Sequence, residues 1–298
     1  MRCLIIGGSG QVGMQLAAAC DDRELPCLGT FHSRPVTGYA PLDLRDDAAL
    51  DELFDDFEPE VVFLPAAETH MDRAEQAPAN CLELNVAGPR RVAERVARSG
   101  GKLVFFSTDH VFAECQRAMT ENDSMNPLSI YSKSKAAAEA AIRQVLPDRH
   151  LILRASWVFG PDEAGKNFAY NTVRRLRRGE SFSVANDQFG QPTYGPDLAD
   201  AALELLVAEA NGTFHVVGPD RHSKFTFARL IAHVFGLDCD LVHGVPSSRL
   251  KQDAPRPKNV WLSGYKLTQT IGPHAVRRAG QGLRELRDNL LAPVAATL

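Results

Sequence analysis

The sequence predicts an α/β fold, a doubly wound parallel sheet with a smaller C-terminal lobe, and three observations predict it. Short, apolar, β-branched segments alternate with longer helix-like ones over the first half of the chain. A glycine-rich turn joins the first such pair. After residue 160 proline and glycine become frequent and strand-like segments sparse. The 298 residues suit two domains at about 150 residues each. The expected division is 1–160 and 161–298, with some segments of the second part returning to the sheet.

Strands are expected at 2–6, 25–31, 61–64, 102–107, 151–154 and 213–217, each short and apolar. The stretch 11–20 is alanine-rich and sets Val12, Leu16 and Ala19 on one helical face. The stretch 46–57 is short and acidic, and 79–98 places Leu84, Val92 and Val96 at helical spacing. The stretch 131–146 is rich in alanine and charged helix formers. Strands alternating with helices of this length make right-handed βαβ units, so the sheet is parallel and covered on both faces.

Composition removes several classes of function. Hydrophobic residues are 44% and charged residues 23%, as in ordinary globular chains. The formal net charge of −4 argues against a nucleic-acid partner, which calls for a basic excess. No apolar run reaches the ~18 residues of a membrane span. The start, MRCLIIGGSG, runs into glycines too soon for a signal-peptide core, so a cytoplasmic location is expected. The six cysteines (3, 20, 27, 81, 115 and 239) show no metal-ligand spacing; they are expected to be reduced, and no metal site is expected. The basic run Arg174-Arg175-Leu176-Arg177-Arg178 reads as a solvated helix face.

The turn reads Gly7-Gly8-Ser9-Gly10-Gln11-Val12-Gly13, with Gly7, Gly10 and Gly13 in G-x-x-G-x-x-G spacing. Glycine permits a tight turn and a close approach to a pyrophosphate, which the N–H groups of the following helix then meet. Lying between a strand and a helix, the motif makes the sheet Rossmann-type and dinucleotide-binding. After the second strand come His32-Ser33-Arg34, without the acidic residue that usually takes the ribose hydroxyls of NAD. Ser33 and Arg34 suit a 2′-phosphate instead, so NADP (as NADPH) is the expected cofactor and NAD the alternative. Asp43 and Leu44 follow the next extended stretch and are candidates for the adenine edge.

Tyr131 and Lys135 are four residues apart and share a helix face. A free phenol has a pKa of about 10, and a nearby ammonium is expected to lower it so that a proton can pass to or from a carbonyl oxygen. Thr108 follows the fourth expected strand, at the end where ligands bind in open α/β sheets. Thr108, Tyr131 and Lys135 are therefore the expected catalytic set.

Taken together these motifs resemble the extended short-chain dehydrogenases/reductases, and within them the dTDP-4-dehydrorhamnose reductase family. The resemblance spans about residues 1–265: GGSGQVG, AAETHMDRAE, Asn85 in LNVAGP, STDHVF, TENDSMNP, YSKSKAAAE, RASWVFG, DQFGQPT and RPKNVWLS. It implies an NAD(P)H-dependent reduction of the 4-keto group of a nucleotide-linked sugar, with Tyr131 as proton donor and residues 161–298 as mainly a substrate-binding lobe. It implies that Gly7, Gly10, Gln11 and Val12 lie on the cofactor pyrophosphate and that Ala66 and Ala67 line the passage at the strand ends. Tyr131 and Lys135 would reach the nicotinamide ribose; Thr108, Asp109 and Trp157 would touch the sugar. The chain departs from the family's usual residues at Pro65, Glu68, His110, Ser132 and Ala138, where asparagine, an aromatic, tyrosine, glycine and glycine are usual. Glu68 and His110 fall near the expected substrate mouth. Two other readings stand beside the reductase: an NADP-binding regulatory subunit resembling the β subunit of methionine adenosyltransferase, and an extended epimerase or dehydratase. The helices flanking the sheet leave a homodimer open.

Overall fold

A computed structural model describes residues 1–162 and 164–291. Seven parallel strands form the central sheet. Their order is Gly212–His215, His150–Ala155, Lys102–Thr108, Val61–Leu64, Cys3–Ile5, Cys27–Phe31 and Ala40–Pro41. Six of the seven answer to the expected segments. Ala40–Pro41 was not anticipated: it is two residues long, and its proline is tolerated because the strand lies at the sheet edge.

Helices cover both faces. Gln11–Asp21 packs with Gly195–Val207 over one apolar cluster that contains Ile5, Phe63 and Leu153. Asp47–Phe57, Gly88–Ser99 and Ile130–Val145 cover the other, around Leu4, Val62, Phe105 and Ile152. Neighbouring residues along the strands thus feed opposite cores, which is why the strands read as continuous apolar runs. Asp46 caps its helix, accepting the Ala49 N–H at 3.0 Å.

The single helix expected over 79–98 is broken. Pro78–Leu82 passes through a π-helical turn, Glu83–Ala87, before Gly88–Ser99 begins. The buried Asn85 sits in that turn and bonds out of the helix, a feature common where π-turns serve a site.

The second half contributes to both layers. Gly212–His215 adds the edge strand beside His150–Ala155, and Gly195–Val207 packs on the first helix. Tyr265–Ile271 packs on the same sheet cluster, and Phe168–Arg177, Lys224–Val234 and Ala279–Leu291 gather around Phe159, Tyr194 and Phe227 as a smaller lobe. Their helical spacing was not singled out in the sequence, where the prolines and glycines drew attention to the loops between them. Arg174, Arg175, Arg177 and Arg178 are exposed, as a solvated face requires. Among the described residues no helix is long and apolar enough to cross a membrane.

Candidate active site

The strand ends that carry the motifs open into one cleft of about 680 Å³. At its floor the chain turns at Gly7, whose φ of 96° lies in the left-handed region. A Cβ there would meet Ala66 at 2.9 Å, and one at Gly13 would meet the Gly7 carbonyl at 2.3 Å. The turn therefore holds the strand, the helix and the Ala66 loop closer than any side chain permits. The Gln11 side-chain nitrogen is buried without a hydrogen-bond partner among the described residues. An orphaned donor at this helix N-terminus suits a phosphate oxygen, so the residues fit a dinucleotide pyrophosphate.

Gly7, Gly10, Gln11, Val12, Ser33, Asp43, Leu44, Ala66, Ala67, Thr108, Asp109, Tyr131, Lys135 and Trp157 all line the cleft. Arg34 is not in the lining. Its guanidinium donates to the Ser9 carbonyl and so braces the glycine turn. Arg45 lines the cleft and was not foreseen. It donates to Asp43 at 2.6 Å and holds that carboxyl down at about 2. Its only signal in the sequence is its place two residues after the adenine candidate.

Tyr131 and Lys135 stand in the first turns of Ile130–Val145, whose start is firmly tied. Ser129 and Ser132 exchange side-chain and backbone bonds at 3.1 Å each, and Glu75 accepts the Ile130 N–H at 2.7 Å. Ser132, a departure from the family's usual glycine, therefore completes a capping box. Asn85 bridges this helix to the Glu68 loop: its amide donates to Ser134 Oγ and to the Glu68 carbonyl at 3.0 Å each, and its oxygen accepts the Glu68 N–H at 2.8 Å. Ser134 Oγ in turn donates to the Tyr131 carbonyl at 2.7 Å. The Glu68 carboxylate pairs with Arg73 at 2.8 Å.

The electrostatics differ from the expectation. The phenol of Tyr131 is pushed up to about 12, because burial disfavours the phenolate; a hydrogen bond from Thr108 opposes this and the Asp109 carboxylate adds to it. Lys135 does not draw the phenol down. Burial pushes the lysine itself down to about 7, against the pull of Glu139, and its ammonium lies 3.9 Å from the centre of the Phe105 ring. Desolvation thus outweighs the pairwise attraction that residue spacing alone suggests.

Glu139, one turn beyond Lys135, is fully buried and saturated with donors. Ser107 Oγ and Arg154 Nε reach one oxygen at 2.6 and 3.0 Å; Arg154 Nη2 and Arg143 Nη2 reach the other at 2.8 and 2.6 Å. Burial would raise this carboxyl, but Arg154 above all, with Ser107 and Arg143, holds it below the usual range. One carboxylate so joins the strand that ends in Thr108 to the helix that carries Tyr131 and Lys135. Its signal in the sequence was an acidic residue inside an alanine run.

Asp109 accepts Ser156 Oγ at 2.6 Å and Thr108 Oγ1 at 3.2 Å. Trp157 adopts a left-handed φ of 45°, which for a bulky residue stores strain of about 1–3 kcal/mol. Past Trp157 and His110 the cleft meets a second chamber of about 400 Å³, lined also by Phe168, Gln188, Lys224 and Arg256. The Lys224 ammonium lies 3.5 Å from the Trp157 ring centre and is held at about 7 by burial, with Asp109 opposing and Arg256 adding. His110 Nδ1 is buried without a partner among the described residues. Burial holds the imidazole neutral, below its ordinary range, against the pull of Asp109.

A parallel sheet with a phosphate-accepting turn at one strand end, and a threonine, tyrosine and lysine at the next ends, defines an extended short-chain dehydrogenase/reductase. The chain belongs to the family whose model is described as RmlD substrate binding domain, which matches residues 1–289. It is 30% identical over 297 residues to the dTDP-4-dehydrorhamnose reductase of Aggregatibacter actinomycetemcomitans, covering 95% of this chain and 98% of that one. It is 30% identical over 278 residues to the dTDP-4-keto-6-deoxy-D-glucose reductase of Streptomyces niveus, covering 93% of each. The solved structure of dTDP-4-dehydrorhamnose reductase from Bacillus anthracis, a complex with NADP, superposes with a TM-score of 0.87 at 28% identity, covering 96% of this chain and 98% of that one.

Proposed function

We propose that this protein is an NADPH-dependent reductase of a nucleotide-linked 4-keto sugar of the dTDP-4-dehydrorhamnose type. The observation that carries the proposal is the convergence of Thr108, Tyr131 and Lys135 on the cleft that begins at the glycine turn. The relatives named for this reaction, and the relative solved with NADP, support it.

The cofactor, when bound, supplies the hydride. The turn at Gly7, Gly10, Gln11 and Val12 would hold its pyrophosphate, Ser33 its 2′-phosphate together with Arg34 once that guanidinium leaves the Ser9 carbonyl, Asp43 and Leu44 would meet its adenine, and Ala66 and Ala67 would flank the passage inward. Thr108 and Tyr131 orient the sugar carbonyl through their hydroxyls, and Tyr131 gives its proton to the carbonyl oxygen. A phenol kept protonated by burial is in the state a donor needs at neutral pH. Lys135 holds the nicotinamide ribose and supports the phenolate left behind. Asp109 and Trp157 contact the sugar, and the second chamber, with Lys224 and Arg256, receives the nucleotide diphosphate. A cytoplasmic location and a homodimer belong to the same reading.

The test is NADPH consumption with dTDP-4-dehydro-L-rhamnose. Tyr131→Phe is expected to lose about 10²–10⁴-fold in turnover, the scale of a general acid. Turnover equal to the wild type in that variant would remove Tyr131 as the donor.

A further inference from the structure

The cleft and the second chamber share three lining residues, Met71, His110 and Trp157. Thr108 and Tyr131 line the cleft alone, and Lys224 and Arg256 line the chamber alone. A ligand that reaches from the two hydroxyls to the two cations therefore passes the three shared side chains. Met71 brings a thioether, a weak acceptor. Trp157 has its ring face against the Lys224 ammonium at 3.5 Å, and its indole edge packs on Gly190, where a Cβ would stand 2.9 Å from Nε1. His110 brings the remaining polar group.

His110 is fixed at its backbone and unsatisfied at its ring. It sits in the short turn Asp109–Val111 that follows the strand, and its N–H donates to Thr108 Oγ1 at 3.2 Å. The next residues, Val111 and Phe112, are buried in an apolar cluster. Among the described residues neither ring nitrogen forms a hydrogen bond. Nδ1 is buried without a partner, and Nε2 lies 4.0 Å from Asp109 Oδ1, beyond bonding distance. The Asp109 carboxylate is already met by Ser156 and Thr108. A buried polar atom left this way costs stability unless a ligand answers it. A neutral imidazole offers one N–H and one lone pair. A hydroxyl, which both donates and accepts, suits that pair of functions in either tautomer. A phosphate oxygen accepts only, and the chamber meets it with Lys224 and Arg256.

We propose that His110 is a specificity-determining residue that hydrogen-bonds a sugar hydroxyl on the C2–C3 edge of the pyranose. The inference rests on the nucleotide-sugar reading given above. In such a substrate the carbonyl at C4 and the diphosphate at C1 lie at opposite ends of the ring. One edge between them carries the C2 and C3 hydroxyls; the other carries the C5 methyl and the ring oxygen. With the carbonyl at Thr108 and Tyr131 and the diphosphate at Lys224 and Arg256, the ring occupies the junction that His110 lines. The imidazole then answers the hydroxylated edge. A sugar lacking the hydroxyl that is read leaves the imidazole buried and unpaired, so the site rejects it.

The experiment titrates the NADP-loaded protein calorimetrically with dTDP, with dTDP-L-rhamnose and with the 2-deoxy and 3-deoxy analogues of that sugar nucleotide. The expected result for the wild type is that one of the two analogues binds about 10–100-fold more weakly than dTDP-L-rhamnose, the scale of one buried polar group left unpaired. In His110→Phe that analogue and dTDP-L-rhamnose should bind alike. In His110→Asn, whose amide keeps a donor and an acceptor, part of the difference should return. Circular dichroism checks the fold of both variants, and the wild-type titrations stand without them. Equal binding of all three sugar nucleotides by the wild type would overturn the inference alone. So would a His110→Phe variant that weakens dTDP as much as dTDP-L-rhamnose, because the imidazole would then serve the diphosphate. A wild type that binds none of the four ligands would remove the nucleotide-sugar reading itself, and the inference with it.

Discussion

The strand-end layer around Tyr131 and the chamber beyond Trp157 treat polar groups in opposite ways. In the first, charge is closed on itself: the oxygens of Glu139 accept four donors, and the helix start is bound by Ser129, Ser132 and Glu75. In the second, His110 Nδ1 has no partner among the described residues, and Lys224 rests on aromatic rings. Groups that must be in register before a substrate arrives are held by one another. His110 and Lys224 are left for a ligand to satisfy, while Arg256 is already held by Asp72 at 3.0 Å. The departures from the family divide along the same line. Ser132 and Ala138 are absorbed by a capping box and by the apolar cluster under the helix, whereas His110 faces the chamber.

The largest effect expected from breaking this contrast is at Glu139. Glu139→Gln leaves the buried Arg154 uncompensated and should cost about 3–5 kcal/mol, read by urea unfolding at neutral pH. Because the folded carboxyl is held below its unfolded value, its contribution is present above the usual carboxylate range and disappears as pH falls through the folded value; the variant should lose that part of the acid sensitivity. The same substitution removes a negative charge that favours the Lys135 ammonium. The wild type should lose activity as pH rises through about 7, and the variant should do so at lower pH. An unmoved alkaline limb would show that Glu139 acts on stability alone.

Next comes the chamber. Lys224→Met should raise KM for the nucleotide sugar about 10–100-fold with little change in kcat, the pattern of lost uniform binding. A fall in kcat at constant KM would instead move Lys224 into the reacting layer. The smallest effect lies at the adenine end. Arg34→Ala should weaken NADPH about tenfold more than NADH, a difference of about 1.4 kcal/mol, in fluorescence titrations. Equal losses would make Arg34 a brace for the Ser9 carbonyl only, and a selective loss in Arg45→Ala would pass the 2′-phosphate to Arg45.

Much of this was legible from residue order, because it depends on neighbours along the chain. Six of the seven sheet strands announce themselves as apolar runs, since both their faces are buried. The turn at Gly7 and the pair Tyr131 and Lys135 are local patterns, and the structure brings them to one cleft. Arg34 shows the limit: a cation in the expected place turns to a backbone carbonyl. The π-turn at Asn85 was hidden, because its partners Glu68 and Ser134 are 17 and 49 positions away.

What the sequence by itself determined is the set of reactive groups and the fold that delivers them, since periodicity, glycine spacing and residue type are written in consecutive positions. Only the tertiary structure decided their electrostatic state. Burial keeps the Tyr131 proton on, leaves Lys135 at the edge of losing its own, and gathers Ser107, Arg143 and Arg154 around Glu139. The physical reason is that desolvation and hydrogen bonding depend on atoms distant in the chain and close in space, and no spacing rule contains them.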